Sequence, residues 1–350
     1  MLMFTNRAVT ASTTPSAFTR RFLPESDALS AVQVTRHGKG FALADLVAGV
    51  DDDAALNLLV PLFKGRRPVL VYLHGFNNPP GVCFERCALL EETFNLEVVG
   101  FSWPSEGYLS SGADQPNLPA GPDDDGEDSF AKINSKNASE GWVKRKKRRY
   151  LQAKMNALGS TDALARLVRL VATARLYAHH QPMTLAAHSL GCHLLQYTIE
   201  NEGAAGSLGV AHNIALIAAC CRAAGHETWV RRLTPVGRVY VTYNKGDSVL
   251  FGAAIVDGHQ VKLGTEPGTR LVSSSVRYVS CTNAQVGLGG HGYFVPAAGE
   301  SLPKDFRKLF KRILGSERDV RDDQGEEPRK VYPLGCDADG ATCYMANPNP

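Results

Sequence analysis

Ser189 lies in the run Met183–Leu195, which reads MTLAAHSLGCHLL, and its neighbours suit a nucleophile. An apolar strand leads into Ala187, His188, Ser189, Leu190 and Gly191, and a helical pattern starts at once. A serine on so tight a strand-to-helix turn needs small residues two positions to either side, because larger side chains would strike the neighbouring strand and helix. Ala187 and Gly191 meet that need. The turn would lift the Ser189 hydroxyl to the carboxyl edge of a sheet. It would aim the Leu190 amide and the new helix's N-terminus at the same spot, where charge developing on a carbonyl oxygen is stabilised. The chemistry these types suit is acyl transfer through a covalent intermediate.

Such a nucleophile needs a base, and the base needs an acid to orient it. After the predicted strand Arg238–Tyr243 come Asn244, Lys245, Gly246, Asp247 and Ser248. Asp247 sits a few residues beyond a strand end, as an orienting acid should, although the same setting suits an ordinary helix N-cap. Asp257 and Glu266 lie further from any predicted strand. The base expected is His291, in Gly289-Gly290-His291-Gly292, where glycines suit a loop that folds back over the sheet edge. His259 reads as a surface residue, and His179, His180, His212 and His226 as helix or loop residues without partners. His188 and His193 flank the serine and read as packing or wall residues.

A second oxyanion donor is expected upstream. Strand Val69–Leu73 ends in His74, Gly75, Phe76, Asn77 and Asn78. The Phe76 amide is the first choice and that of Asn77 the second, with His74 a structural group beside the hole. Asn77, Trp103, Tyr108 and His188 are the candidate substrate-pocket residues.

The elements that must position these groups alternate. Predicted strands are Ala31–Thr35, Val69–Leu73, Glu97–Trp103, Met183–Ala187, Ile214–Ala219, Arg238–Tyr243 and Ser275–Cys281. Predicted helices are Gly81–Asn95, one long helix over Tyr150–His180, Gly191–Asn201, Gly225–Leu233 and Pro303–Leu314. Continuous apolar strands separated by helices indicate an α/β fold, a doubly wound, mostly parallel sheet with helices on both faces. Residues 1–65 read as an N-terminal addition whose first 28 or so residues, rich in Ser, Thr and Pro, form a poorly ordered arm. Residues 66–315 form the catalytic domain and 316–350 a charged tail. Within the domain, 104–149 interrupts the alternation and reads as a lid-like insertion.

The series VLVYLHGFNN, VVGFSWPSEG, a long helix, LAAHSLGCHLL, YNKGDSVL and GHGYF resembles a bacterial α/β-hydrolase family of unknown function, described as esterase- or lipase-like. The resemblance spans about 67–295. It implies a serine hydrolase acting on a carboxylic ester through Ser189, Asp247 and His291, with a backbone oxyanion hole. The expected substrate is a small-molecule or lipid-like acyl ester. The same groups would serve an amidase, a thioesterase or an acyltransferase, and a non-catalytic binding module on the same scaffold is the alternative from another class.

Composition narrows the rest. The 350 residues are 44% hydrophobic and 21% charged, which suits a globular core. Lysine and arginine number 38 against 35 acidic residues, a net +3, so the chain is not built around a polyanion and no nucleic-acid partner is expected. The basic run Lys144–Arg149 reads as the solvated start of a helix; docking of that run on an anionic membrane surface is the less favoured reading. Cys83 and Cys87 read as half-buried helix thiols, with no second ligand pair for zinc. Cys336 and Cys343 stand close enough in sequence to pair. No metal or cofactor is expected. No apolar run approaches a membrane span, the N-terminus lacks the apolar stretch of a secretory leader, and the cysteine usage suits a cytoplasmic setting.

Overall fold

The computed structural model describes residues 1–38, 40–108, 132–133, 139–178, 181–201, 203–272, 275–282, 288–296 and 300–316, together with the backbone of 334–336 and 342–345. The chain opens with β1 (Leu2–Thr5), β2 (Arg7–Val9), β3 (Phe18–Phe22), β4 (Ser30–His37) and β5 (Gly40–Val47). Then come α1 (Asp52–Lys64), β6 (Val69–Leu73), α2 (Pro80–Phe94), β7 (Glu97–Ser102), α3 (Glu140–Leu158) and α4 (Thr161–Ala178). The second half holds β8 (Met183–His188), α5 (Gly191–Asn201), β9 (Asn213–Ile217), α6 (His226–Val230), β10 (Arg238–Tyr243) and α7 (Ser248–Val256). It closes with β11 (Val276–Ser280), α8 (Lys304–Leu314), β12 (Leu334–Cys336) and β13 (Thr342–Met345).

Eleven of these strands form one sheet in the order β12-β13-β11-β10-β9-β8-β6-β7-β1-β4-β5. From β13 to β1 every neighbour is parallel. This is the doubly wound α/β architecture expected. The central strands β6, β8 and β9 are buried at every position, as continuous apolar strands covered on both sides must be.

Winding direction creates the site. The chain passes from β6 to β7 in one direction along the sheet, then returns over β6 to β8 and continues to β9. Right-handed crossovers of opposite direction put their helices on opposite faces, so α2 lies on one face and α3, α4 and α5 on the other. The packing agrees: α2 contacts α8, whereas α5 contacts α3 and α4. Adjacent strands whose loops leave to opposite faces open a crevice at their carboxyl ends. Here those strands are β6 and β8, where Leu73, the last residue of β6, pairs with Ala187, the penultimate residue of β8.

Several expectations need correction. The N-terminal segment is not a loose arm. Strand β1 is inserted between β7 and β4, and all four of its residues are buried. Arg7, fully buried, forms an ion pair with Glu106 at 2.6 Å and donates to the carbonyls of Thr19 and Trp103. Losing one partner of such a pair strands the other charge, at a cost of about 3–5 kcal/mol. The run of Ser, Thr and Pro that suggested disorder is only the connection that follows. Both expected terminal additions in fact supply strands to the main sheet, β1, β4 and β5 from one end and β12 and β13 from the other.

The long helix is two helices. Gly159 closes α3 by donating its backbone amide to the Met155 carbonyl, and the Ser160 hydroxyl donates to the Asn156 carbonyl. The Ser160 carbonyl then accepts the Leu164 amide and starts α4. The basic run is not wholly solvated either, because Lys146 and Arg149 are buried. Residues 109–131 and 134–138, which carry most of the expected lid, lie outside the described residues. Cys83 and Cys87 are fully buried rather than half-buried. Cys336 and Cys343 face each other in the β12–β13 register. Among the described residues no helix is long and apolar enough to cross a membrane.

Candidate active site

Ser189 follows the last residue of β8 with φ of 53°, in the left-handed region that a residue with a side chain occupies at a cost of about 1–3 kcal/mol. The turn is held from three sides. The Ser189 amide donates to the Ile217 carbonyl at 3.0 Å, and its own carbonyl accepts the amides of Cys192 and Cys220, each at 3.1 Å. A Cβ on Gly191 would lie 2.7 Å from the carbonyl oxygens of both Leu73 and His74, so only glycine lets α5 start so close to β6. The Leu190 amide donates to no carbonyl among the described residues and opens α5 beside the serine.

The loop after β6 is fixed by Trp103. Its backbone amide donates to His74 Nε2 at 3.2 Å and its indole N–H to the His74 carbonyl at 3.1 Å, with the two rings stacked. A ring nitrogen that accepts from an amide carries no proton, so the His74 proton is on Nδ1, which faces the Gly75 carbonyl at 3.0 Å. His74 is thus a structural group, as expected. The Asn77 amide is engaged with the Ser105 carbonyl at 2.9 Å. That removes the second choice of oxyanion donor and leaves Phe76. The Asn77 side chain accepts from Arg149 Nη2 at 2.8 Å.

Asp247 and His291 meet at the same edge. His291 Nδ1 lies 2.6 Å from Asp247 Oδ2, with both side chains buried. The other oxygen of Asp247 accepts the Leu250 amide at 2.9 Å and caps α7. The loop carrying His291 is tied to the acid's turn. Asn244 Nδ2 donates to the Gly290 carbonyl at 2.7 Å, and the Ser248 hydroxyl to the Gly289 carbonyl at 3.1 Å. Gly290 has φ of 65°, and a Cβ there would strike the Asn244 amide at 2.6 Å. His291 reaches the serine's turn through His188, whose ring centroid is 4.7 Å from its own.

The candidate pocket residues divide. His188 is buried between His291 and Phe294 and serves as a floor for the His291 ring. Asn77 and Trp103 are fully buried and back the β6 loop. Tyr108, half-buried, has Arg20 at 3.8 Å and Arg149 at 4.4 Å from its ring centroid.

Other sequence readings find different partners. His226 is not isolated: its ring bridges the Ala223 carbonyl and the Tyr278 hydroxyl, each at 2.7 Å. Glu266 pairs with Lys245 at 3.1 Å. Asp257 binds Lys262, Lys154 and the Tyr150 hydroxyl. Tyr150 in turn touches Phe76 edge-on and Cys220 Sγ at 3.1 Å. This charged cluster against the site had no signal in the sequence beyond Asp257 itself. Among the described residues no group of His, Cys, Asp and Glu could hold a metal ion.

Residues 55–218 match the family described as alpha/beta hydrolase of unknown function (DUF900), a segment that runs from α1 through the Ser189 turn to the end of β9. No curated protein and no solved structure matches the chain.

Proposed function

The chain carries the α/β-hydrolase fold, which supports a hydrolase-type activity, and from that premise we propose a serine hydrolase that cleaves a carboxylic ester through an acyl-enzyme. The observation that carries this reading is the 2.6 Å contact between His291 Nδ1 and buried Asp247, set beside the left-handed turn at Ser189. With the Nδ1 proton directed at Asp247, the lone pair is left on Nε2, the atom that must act as base.

In the proposed reaction Ser189 Oγ adds to the ester carbonyl carbon while its proton passes to His291 Nε2. The bond from that carbon to the alcohol oxygen breaks, and the proton leaves with the alcohol. Water then adds to the acyl-enzyme with the same proton relay, Ser189 departs reprotonated, and the carboxylic acid is released. Asp247 holds the imidazole tautomer and stabilises the imidazolium. The amides of Leu190 and Phe76 receive the negative oxygen, and one such donor is worth about 10²–10³ in rate. None of these steps requires a metal or cofactor. A cytoplasmic, reducing setting belongs to the same proposal and is supported by Cys83, Cys87, Cys192, Cys220, Cys221 and Cys281, buried thiols that form no disulfide.

Rapid mixing with 4-nitrophenyl butyrate tests the reading. Acylation faster than deacylation gives a burst of nitrophenolate equal to the enzyme present, and both burst and turnover should be absent in Ser189→Ala. Equal turnover by Ser189→Ala would overturn it.

A further inference from the structure

The cluster behind Tyr150 has more positive charge than it can use. Lys262 is 1% exposed and Lys154 23%, yet among the described residues the acidic partner of both is the single carboxylate of Asp257. Lys154 Nζ sits 3.1 Å from Oδ1 and 3.2 Å from Oδ2, and Lys262 Nζ contacts Oδ2. The Tyr150 hydroxyl donates to the same Oδ2 at 3.1 Å. Among the described residues, two ammonium groups on one carboxylate leave one positive charge over, in a place largely removed from water.

His193 faces this cluster from the first turn of α5. It is 7% exposed, and neither of its ring nitrogens has a hydrogen-bond partner. The Cys220 backbone lies near the ring without hydrogen-bond geometry. Burial first, then Lys154 and Lys262, push the imidazole down to about 3, so the ring is neutral and offers one donor and one acceptor. Buried polar atoms are nearly always satisfied, and two orphans on one ring beside surplus charge mark a place for a ligand.

The cluster adjoins the site. His193 is four residues past Ser189, a rise of about 6 Å along a helix. Cys220, which touches Tyr150, donates its amide to the Ser189 carbonyl. Tyr150 packs edge-on against Phe76 at 5.7 Å between centroids.

We propose that Lys154, Lys262 and His193 form a subsite for a carboxylate carried by the ester, so that the substrate is a half-ester of a dicarboxylic acid or a similarly anionic ester. A single surplus charge matches a carboxylate better than a phosphate dianion, which would leave uncompensated negative charge in a buried place. The spacing from Ser189, about 6 Å at ~1.5 Å of helix rise per residue, suits an acyl chain of about six carbons counting both carbonyl carbons. The inference rests on the serine-hydrolase reading and names its substrate class.

The test compares mono-4-nitrophenyl adipate with 4-nitrophenyl hexanoate, esters of equal length that differ in the terminal carboxylate. The expected kcat/KM ratio favours adipate by at least about tenfold, a differential of about 1.4 kcal/mol. It falls to about one in Lys154→Met and returns in part in Lys154→Arg. A ratio near one in the wild type, or one that survives Lys154→Met, overturns the subsite. Failure of the underlying reading looks different, with neither ester turned over through Ser189. A binding measurement then decides the subsite alone. Calorimetry on Ser189→Ala should show free adipate bound and the heat lost when Lys154→Met is added. No adipate heat, or tighter binding of inorganic phosphate, counts against the proposal.

Discussion

The carboxylate of Asp247 is divided between two tasks: Oδ2 meets His291 Nδ1 at 2.6 Å and Oδ1 caps α7 through the Leu250 amide at 2.9 Å. The cap fixes the carboxylate plane, and the fixed plane sets the direction from which the imidazole must approach. The helix therefore acts as a brace for the His291 tautomer, and in the proposed reaction local stability and chemistry share one side chain.

Asp247→Asn separates the two tasks. Asparagine is as good an N-cap as aspartate, so melting should shift by no more than about 1 kcal/mol. With its one oxygen kept on the Leu250 amide, asparagine turns its NH2 toward Nδ1, so the wrong tautomer is favoured and kcat should fall by about 10⁴. Asp247→Ala removes the cap as well and should add about 1 kcal/mol of destabilisation. Ester turnover and thermal melts on the two variants give both numbers.

Asn244 is expected to act through His291. Its side chain accepts the Gly246 amide at 2.9 Å and donates to the Gly290 carbonyl at 2.7 Å, joining the acid's turn to the base's loop. Asn244→Ala should lower kcat by about 10–100-fold, the usual loss for a group that orients an active residue, with KM little changed. A purely structural role would instead lower the active fraction, which active-site titration separates from kcat.

Acid stability should depend on His193. Its imidazole is neutral in the folded chain down to about 3, chiefly because of burial, whereas in the unfolded chain it titrates near the ordinary 6.5. Between those values the unfolded state binds more protons, so stability rises with pH across the window and is lost as pH falls. His193→Gln removes that contribution. The wild type should lose melting temperature more steeply than the variant between about pH 6.5 and 3. Parallel curves for the two proteins would contradict the assignment.

Much of the site was legible because its signals are local. Ser189, Ala187 and Gly191 sit within five residues, and the steric demand on Gly191 is met as the spacing implied, with two backbone oxygens 2.7 Å from where a Cβ would stand. For Asp247 the helix cap read from the sequence and a contact with His291 are made by the same carboxylate. What was missed depends on distant partners. Strand β1 is only four residues long, too short for a period to emerge, and its burial comes from β7 and β4. His226 looked isolated because its partner Tyr278 is 52 residues away. The break between α3 and α4 turns on the caps at Gly159 and Ser160 inside an otherwise helical pattern. The charged cluster draws Lys154 from α3, His193 from α5 and Asp257 and Lys262 from after α7, so no stretch of sequence displays it.

The central claim, an activated serine at the turn after β8, is tested most directly by intact mass after exposure to a fluorophosphonate. Wild type should gain one adduct, with the label mapped to Ser189. Ser189→Ala should gain none, and His291→Ala should label at least about 10²-fold more slowly, in line with the loss of a general base. A folded wild type that stays unlabelled, or a Ser189→Ala variant that labels as fast as wild type, would contradict the account.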